Sequence, residues 1–499
     1  DYLAAAYFFE EFVTQRFAAG EVPKWLPYVY GGVPFFANPM DTYYPVTLLL
    51  RVMGVETHRH LAWIFVVNFF AAGTGTYLLL RELGTRRMPA YLAGLLYMFA
   101  GYLISYIYGG HEGRAIVATL SPLFLFAIHR GVRTGGFRWF VLGGATLGSA
   151  LLSFQIQSAY YMLLAGGLWG IFLLWHFQVL RDARALGGRL AGAASMLVIG
   201  FAMAAINFIP FLSYVDASPR GGEEGRGYEY ATSWAMPPEE IVGLAVPERI
   251  GVLQQYWGDN PFKLHTEYAG ALTILLVVAG AYLLRRQRYA WFFFGLGVFT
   301  LTIAFGGHTP IYRLYYEFLP GTQRFRAPSI SFYLLTLSMA VLAGLALEWL
   351  SRLRDEREAR SAEVRRGAEA TLRTTTGIAV GLLAVVLLWA LAVAINTPDA
   401  ILTRPTTPEA LREARAALNH DAYRLGVWRF MLFLSLVATG VWLWVRGAIT
   451  TRVAGVLLAL VSVADLWVID KKFLDAVPEP AVYFAPDQAA KFLRSQPGP

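Results

Sequence analysis

Residues 216–267 read DASPRGGEEGRGYEYATSWAMPPEEIVGLAVPERIGVLQQYWGDNPFKLHTE. This is the longest polar interruption in a chain built mostly of apolar runs. It mixes Arg, Glu, Asp, His and Trp in a way no membrane span tolerates, because a charge at the bilayer centre costs on the order of 3 kcal/mol or more. The stretch therefore belongs outside a bilayer, and the runs that flank it belong within one.

Composition agrees. The 499 residues are 56% hydrophobic and 15% charged, with a mean hydropathy of +0.46. Soluble domains carry about 25% charged residues, so the expected class is an all-α polytopic membrane protein. The formal charge of +8 and the pI near 9.4 would also suit a nucleic-acid binder. Arginines that orient helices and meet anionic lipid explain the excess more simply. The absence of Cys excludes disulfides, thiolate metal sites and a Cys nucleophile.

Working outward, residues 1–57 contain no span. A polar helical stretch, YFFEEFVTQRFAAGE, leads there into the Pro- and Gly-rich VPKWLPYVYGGVPFFANPMDTYYP. Runs of spanning length follow near 60–80, 88–108, 114–129, 138–155, 158–177, 190–214, 268–284, 289–306, 329–350, 375–396, 427–446 and 453–469. This predicts about twelve transmembrane helices, with a hinge near Gln155-Ile156-Gln157-Ser158. RELGTRR (81–87), HRGVRTGGFR (129–138), RDARALGGR (181–189), RRQR (285–288), 352–373, Arg446 and Arg452 then fall on one side. The positive-inside rule makes that side cytoplasmic. The alternate loops, 1–57, 109–113, 216–267, 307–328, 397–426 and 470–499, become extracytoplasmic.

The division that results is a first outer loop (1–57), a core (58–350), a charged helix (351–374) and C-terminal spans (375–469). Residues 470–499 begin a further outer region. Segment 351–373 alternates Arg with Glu and Asp and reads as a solvated helix prolonging the preceding span. Thr407-Pro408-Glu409 and Pro486-Asp487 read as helix starts. The ends, Asp1 and Ser495-Gln496-Pro497-Gly498-Pro499, lead us to expect a fragment of a longer protein with one more span before Asp1.

Five outer-face groups could carry chemistry. Asp1 and Asp41 are carboxylates at the membrane surface, and a carboxylate there can act as a general base or simply cap a helix. His111, Glu112 and Arg114 share a very short turn; His with Arg suits a phosphate, and equally a snorkelling Arg. In Ser218-Pro219-Arg220-Gly221-Gly222, glycine lets backbone N–H groups approach an anion, though such turns are common. Trp257 and Asp259, with Glu267 and Tyr268, could hold a sugar between a ring face and a carboxylate, or form an interfacial aromatic belt. Arg324 and Arg326 lie on the outer side against the charge bias and would complete a cationic cluster with Arg114 and Arg220. No Walker or dinucleotide motif is present. His58 and His60, two residues apart, do not share a helical face, so no zinc site is expected. Asn68, Gln155, Gln157 and Asn207 read as helix–helix hydrogen bonds. Asp465, late in the last span, needs an Arg partner that the sequence does not name.

Taken together, several segments resemble the YfhO family of bacterial membrane proteins, which are related to the GT-C glycosyltransferases. They are Asp1; Pro23-Lys24-Trp25-Leu26-Pro27-Tyr28; Gly31-Gly32-Val33-Pro34; Tyr43-Tyr44-Pro45; Gly110-His111-Glu112-Gly113-Arg114; Arg220-Gly221-Gly222; Tyr230-Ala231-Thr232-Ser233-Trp234; Tyr256-Trp257-Gly258-Asp259; Tyr268-Ala269-Gly270; Leu319-Pro320-Gly321; and Phe325-Arg326-Ala327. They run in order from residue 1 to about 330. The resemblance implies a GT-C-like bundle in the bacterial inner membrane, its active face extracytoplasmic. It also implies inverting sugar transfer from a polyprenyl-phosphate-linked donor to a cell-envelope acceptor. Asp1 matches the position of the family's base. On this reading His111, Arg114, Arg220, Arg324 and Arg326 meet the donor phosphate, and Asp41, Trp257, Asp259, Glu267 and Tyr268 meet sugar or acceptor. No cofactor is specified, and a divalent cation, Mg or Mn, stays open. A lipid or polysaccharide transporter and a non-catalytic scaffold of a larger membrane complex are the rival readings. A transporter would need polar residues lining a path through the spans, and these spans hold few charges.

Overall fold

A computed structural model describes residues 6–29, 31–35, 41–215, 226–258, 260, 263–395 and 409–496. Asp1, Arg220 and Asp259 lie outside these residues, as do Thr407 and Pro408. Among the described residues the fold is helical, with one two-stranded antiparallel ribbon pairing Trp25–Leu26 with Val33–Pro34.

The first loop holds α1 (Tyr7–Ala18) and α2 (Pro45–Val52). Then come α3 (Thr57–Glu82), α4 (Arg87–Met98) and the short α5 (Gly101–Ile104) and α6 (Tyr106–Gly109). After these run α7 (Glu112–Thr134), α8 (Phe137–Leu152), α9 (Ile156–His176) and α10 (Ala183–Val215). The polar interruption contains α11 (Tyr228–Thr232) and three 3-10 turns, Pro238–Leu244, Pro247–Arg249 and Leu253–Gln255, before α12 (Ala271–Leu283). Next are α13 (Arg288–Ala304), α14 (Ile311–Phe318), α15 (Phe332–Arg357), α16 (Ala362–Ile395), α17 (Glu409–Val445) and α18 (Thr451–Asp470). Last are α19 (Pro480–Tyr483) and α20 (Gln488–Ser495), the latter capped by Asp487, whose carboxylate accepts from Ala490 N at 2.7 Å.

Nine helices among the described residues are long and apolar enough to cross a membrane. Three shorter apolar helices, α8, α12 and α13, occupy the remaining expected places. The chain is thus a multi-pass, all-α membrane protein. The core is formed by α7 and α15, buried along nearly their whole length, while α10 and α16 turn most of theirs outward. Helices α3, α8 and α9 pack on α7; α4, α12, α13 and α16 pack on α15. Small residues permit the closest approaches, as expected where lipid removes the hydrophobic drive between helices. A Cβ on Gly148 would stand 2.7 Å from Met203, and one on Gly94 would stand 2.7 Å from the Gly73 carbonyl oxygen.

Two expectations need revising. The charged segment does not prolong the preceding span to 373. Helix α15 stops at Arg357, the chain breaks over 358–361, and the rest of the segment opens α16. The hinge near 155 is real and sharper than a bend. Phe154 takes a left-handed φ of +59°, and α8 and α9 end and restart around it.

A buried polar knot fastens the loop face to the C-terminal helices. The partner of Asp465 is Arg429, at 3.3 Å. Asp465 also accepts from the Tyr268 hydroxyl at 2.5 Å and from Ala271 N at 2.7 Å, so it caps α12 from another helix. Arg429 donates to Tyr268 at 2.8 Å and to Glu248 at 3.2 Å. Removing one member of such a set strands the others without water. We expect Asp465→Ala to lose about 3 kcal/mol, read as a lower melting temperature in detergent. An unchanged melting curve would show that the knot does not hold the fold.

Candidate functional site

The loop face collects its carboxylates at the N-terminal end of the bundle. Pro45 presets the first turn of α2, and Tyr44 N donates to the Asp41 carbonyl at 2.8 Å just before it. The Tyr44 hydroxyl reaches Asn68 on α3 at 2.8 Å, and Asn68 also accepts from Thr119 on α7 at 3.2 Å. Helices α2, α3 and α7 are thereby keyed together. Asp41 is buried and accepts from Thr47 Oγ1 at 2.6 Å. Glu10, from α1, is buried in an ion pair with Arg51 of α2, and Arg51 also donates to the Thr42 carbonyl at 2.5 Å. Glu112 opens α7 within electrostatic reach of both Asp41 and Glu10. Its Oε2 has no hydrogen-bond partner among the described residues.

Carboxylates thus outnumber the cation packed directly among them. Burial pushes the Glu10 carboxyl up to about 7, the nearby Asp41 charge adds to the rise, and Arg51 opposes it. Burial likewise raises Asp41, against the Thr47 hydrogen bond and Arg51. Carboxyls that exchange a proton near neutral pH are suited to general acid–base work.

His111 and Arg114 stand next to this cluster, both half-buried. Gly110 makes the turn at φ +60°. Burial, then the Arg114 charge, pushes the His111 imidazole down to about 3. At neutral pH His111 therefore offers a polar ring without a charge, and the positive charge expected of the pair rests on Arg114. Arg114 lies within electrostatic reach of the Tyr102 and Tyr106 hydroxyls.

The start of α7 packs on the α8–α9 break, where a Cβ on Gly113 would stand 2.7 Å from Gln155 Cγ. Two residues on, Gln157 Nε2 donates to the Arg326 carbonyl at 2.6 Å. Arg114 and Arg326 thus border the same break. The Arg326 guanidinium lies over Trp234 at 4.0 Å and Tyr230 at 5.6 Å, which desolvates and orients it. Arg324, two residues away, is exposed.

The expected sugar-binding residues divide. Asp41 belongs to the carboxylate cluster. Trp257 is half-buried, with its Nε1 donating to the Arg249 carbonyl at 3.1 Å and the Arg249 guanidinium 5.2 Å over its ring. Tyr268 is fully buried in the Arg429 knot. Glu267 is buried and 2.6 Å from Lys263 Nζ, which also meets Glu240 at 2.6 Å. His265 stands 3.3 Å from Glu267, and the Tyr256 hydroxyl donates to Glu240 at 2.6 Å. Burial disfavours the Glu267 anion, but Lys263 and His265 together outweigh it and hold the carboxyl down at about 2. Sequence reading missed Lys263, Glu240 and His265. The i, i+4 spacing of Lys263 and Glu267 was visible, but in irregular chain such spacing carries no geometric meaning.

Two hollows flank the cluster. One of about 840 Å³ is lined by Glu11, Thr14, Arg51, His58 and Glu479. The other, of about 510 Å³, has Leu61, Phe65 and Ile107 on its apolar wall and Gly110, Asp475 and Glu479 at its polar edge. The chain after α18 returns across the loop face to border both. Phe484 stacks on Tyr7 at 5.0 Å and meets Phe8 edge-on at 4.7 Å. Among the described residues no three His, Cys, Asp or Glu side chains converge as metal ligands. No family model matches the chain, and no curated protein matches it.

The raised Glu10 carboxyl predicts a pH dependence. The folded state keeps a proton on Glu10 between its ordinary value of 4.5 and about 7, while the unfolded chain releases it. Stability therefore drains away as pH rises through that window and levels off above it. Glu10→Gln has no such proton. The melting temperature of the wild type, measured relative to Glu10→Gln, should fall between pH 4.5 and 7 and then stay constant. A difference independent of pH would remove Glu10 from the titrating cluster.

Proposed function

We propose that this protein is a membrane glycosyltransferase that moves a sugar from a polyprenyl-phosphate-linked donor to an acceptor at its loop face. The observation that carries this reading is the carboxylate cluster of Glu10, Asp41 and Glu112. It sits with Arg114 at the membrane boundary, beside a hollow with an apolar wall on α3 and a polar edge. A lipid-borne, anionic, hydroxyl-rich substrate matches each of those features, and the ordered resemblance to YfhO-type proteins points the same way.

In this proposal the bundle has twelve spans, α8, α12 and α13 included. The arginine-rich side faces the bacterial cytoplasm. The polyprenyl chain lies against α3, and the donor phosphate meets Arg114, with Arg326 across the α8–α9 break. A carboxylate takes the proton of the acceptor hydroxyl. By resemblance this is Asp1, and among the described residues Asp41 is the buried carboxylate that could act with it. The acceptor oxygen attacks the anomeric carbon from the face opposite the phosphate. The bond from that carbon to the phosphate oxygen breaks, and polyprenyl phosphate leaves with the electron pair. Fixed cations in a partly dry site act on that developing charge far more strongly than in water.

The test is transfer of radiolabelled sugar from polyprenyl-phosphate donors by the purified protein in liposomes. Arg114→Gln should lower turnover roughly a hundredfold, as for loss of a preorganised charge-stabilising group. Asp41→Asn should lower it at least about tenfold, within the range of general-base loss. Neither should disturb the melting temperature as Asp465→Ala does. Full transfer by both variants, or none by the wild type with any such donor, would sink the proposal.

A further inference from the structure

A third hollow lies far from the loop face, inside the apolar part of the bundle. It measures about 300 Å³ and is walled by α12, α15, α16 and α17, with Leu276, Leu350, Leu383 and Ala438 among its lining. Its lining is predominantly apolar. The hydroxyl of Thr375, one of the polar groups present, donates to its own helix at the Leu372 carbonyl. Along α16 the lining runs from Leu372 to Leu383, about 17 Å at helical rise. That is roughly half of a 30 Å hydrocarbon core, the depth of one leaflet. Val380 and Thr439 line the hollow and are also exposed, so it opens sideways between α16 and α17. A slot of this shape, open to a bilayer, takes up hydrocarbon rather than water.

The end of the slot is charged. Leu372 and Val445 line it, and they are followed directly by Arg373 and Arg446. Both arginines are exposed, and neither forms an ion pair with a described residue. The Arg446 guanidinium lies 4.6 Å over the ring of Trp442, itself a lining residue. Arg357, by contrast, is already engaged, with Glu369 at 2.7 Å and the Val445 carbonyl at 2.7 Å. The slot therefore offers one acyl-chain length of apolar wall and two uncommitted guanidinium groups at headgroup depth.

We infer that this slot binds one anionic glycerophospholipid from the leaflet on the arginine-rich side, its acyl chain between α16 and α17 and its phosphate against Arg373 and Arg446. The site is independent of the sugar-transfer reading, since it shares no residue with the loop face. A bound lipid there would fill the gap between the core helix α15 and the outward-facing α16.

The experiment is native mass spectrometry of the delipidated protein titrated with phosphatidylglycerol or with phosphatidylcholine of the same acyl chains. We expect one phosphatidylglycerol per chain, retained at least tenfold more strongly than phosphatidylcholine. Thr439→Trp, which plugs the mouth from an exposed position, should lower that retention at least tenfold. Arg446→Gln should reduce the preference between the two lipids severalfold while leaving a lipid bound. A diazirine-bearing phosphatidylglycerol, used on the wild type, supplies a measurement that needs no variant. Its adducts should map to the peptides 372–383 and 438–445. Equal retention of the two lipids, unchanged retention by Thr439→Trp, or adducts spread over the outer helices would each overturn the inference.

Discussion

Arg429 carries a charge into a place where water cannot follow, and the loop face depends on how that charge is met. Glu248 comes from the polar interruption, Tyr268 from its last turn, and Asp465 from α18. Asp465 spends its second oxygen on the first free N–H of α12, where a negative charge also complements the helix dipole. One guanidinium thus fixes a loop, the start of one helix, the middle of a second and the last turns of a third. A lone charge at such depth would be costly; a charge met by two carboxylates and a hydroxyl is tolerated and favours a single arrangement. The Lys263 set repeats the device a few residues earlier in the same loop.

The same rule separates the groups that build from those free to react. Glu267 and Glu10 are both buried glutamates with a cation in contact. Glu267 meets Lys263 and His265 at once, and its carboxyl is held down at about 2. Glu10 shares Arg51 with the neighbouring charge of Asp41, and its carboxyl rises to about 7. The difference lies in the balance of charge around each side chain and not in its type or depth. A group held far below neutral pH has no proton to exchange, whereas one poised near 7 has. By that criterion Glu10 can trade a proton near neutral pH, whereas Glu267 and Tyr268 are parts of the frame.

Much of the architecture was legible because apolar runs must be helices of bilayer length in lipid. The α8–α9 break showed as Gln155 and Gln157 inside an otherwise apolar run. The cap at Asp487 showed as Asp ahead of a short amphipathic stretch. Partners were a different matter. That Asp465 needed an Arg followed from the cost of burying it, but that the Arg was 429 is a fact of packing between distant segments. Helix α2 was missed because its apolar PVTLLLRV is too short to span and directly follows a loop rich in aromatics and prolines. The end of α15 was hidden because a charged helix and a charged turn share one composition. Of the site, His111 and Arg114 could be placed together from their spacing. Glu10 could not, since nothing local marks a glutamate in a polar helix as destined for burial.

The geometry of α3 connects the bilayer to the carboxylates. Trp63, Val66 and Phe70 point outward, while Leu61 and Phe65, one turn apart on another face, line the hollow of about 510 Å³. Apolar side chains thus cover both of these faces of α3. At the loop end of the hollow stands Gly110, and the returning tail supplies Asp475, Glu479 and the Phe484 that stacks on Tyr7. The tail therefore narrows the space above the cluster using aromatic contacts and side chains that carry the wrong charge to hold a phosphate. In the proposed reaction this acidic edge would turn a lipid phosphate away from the tail and toward Arg114.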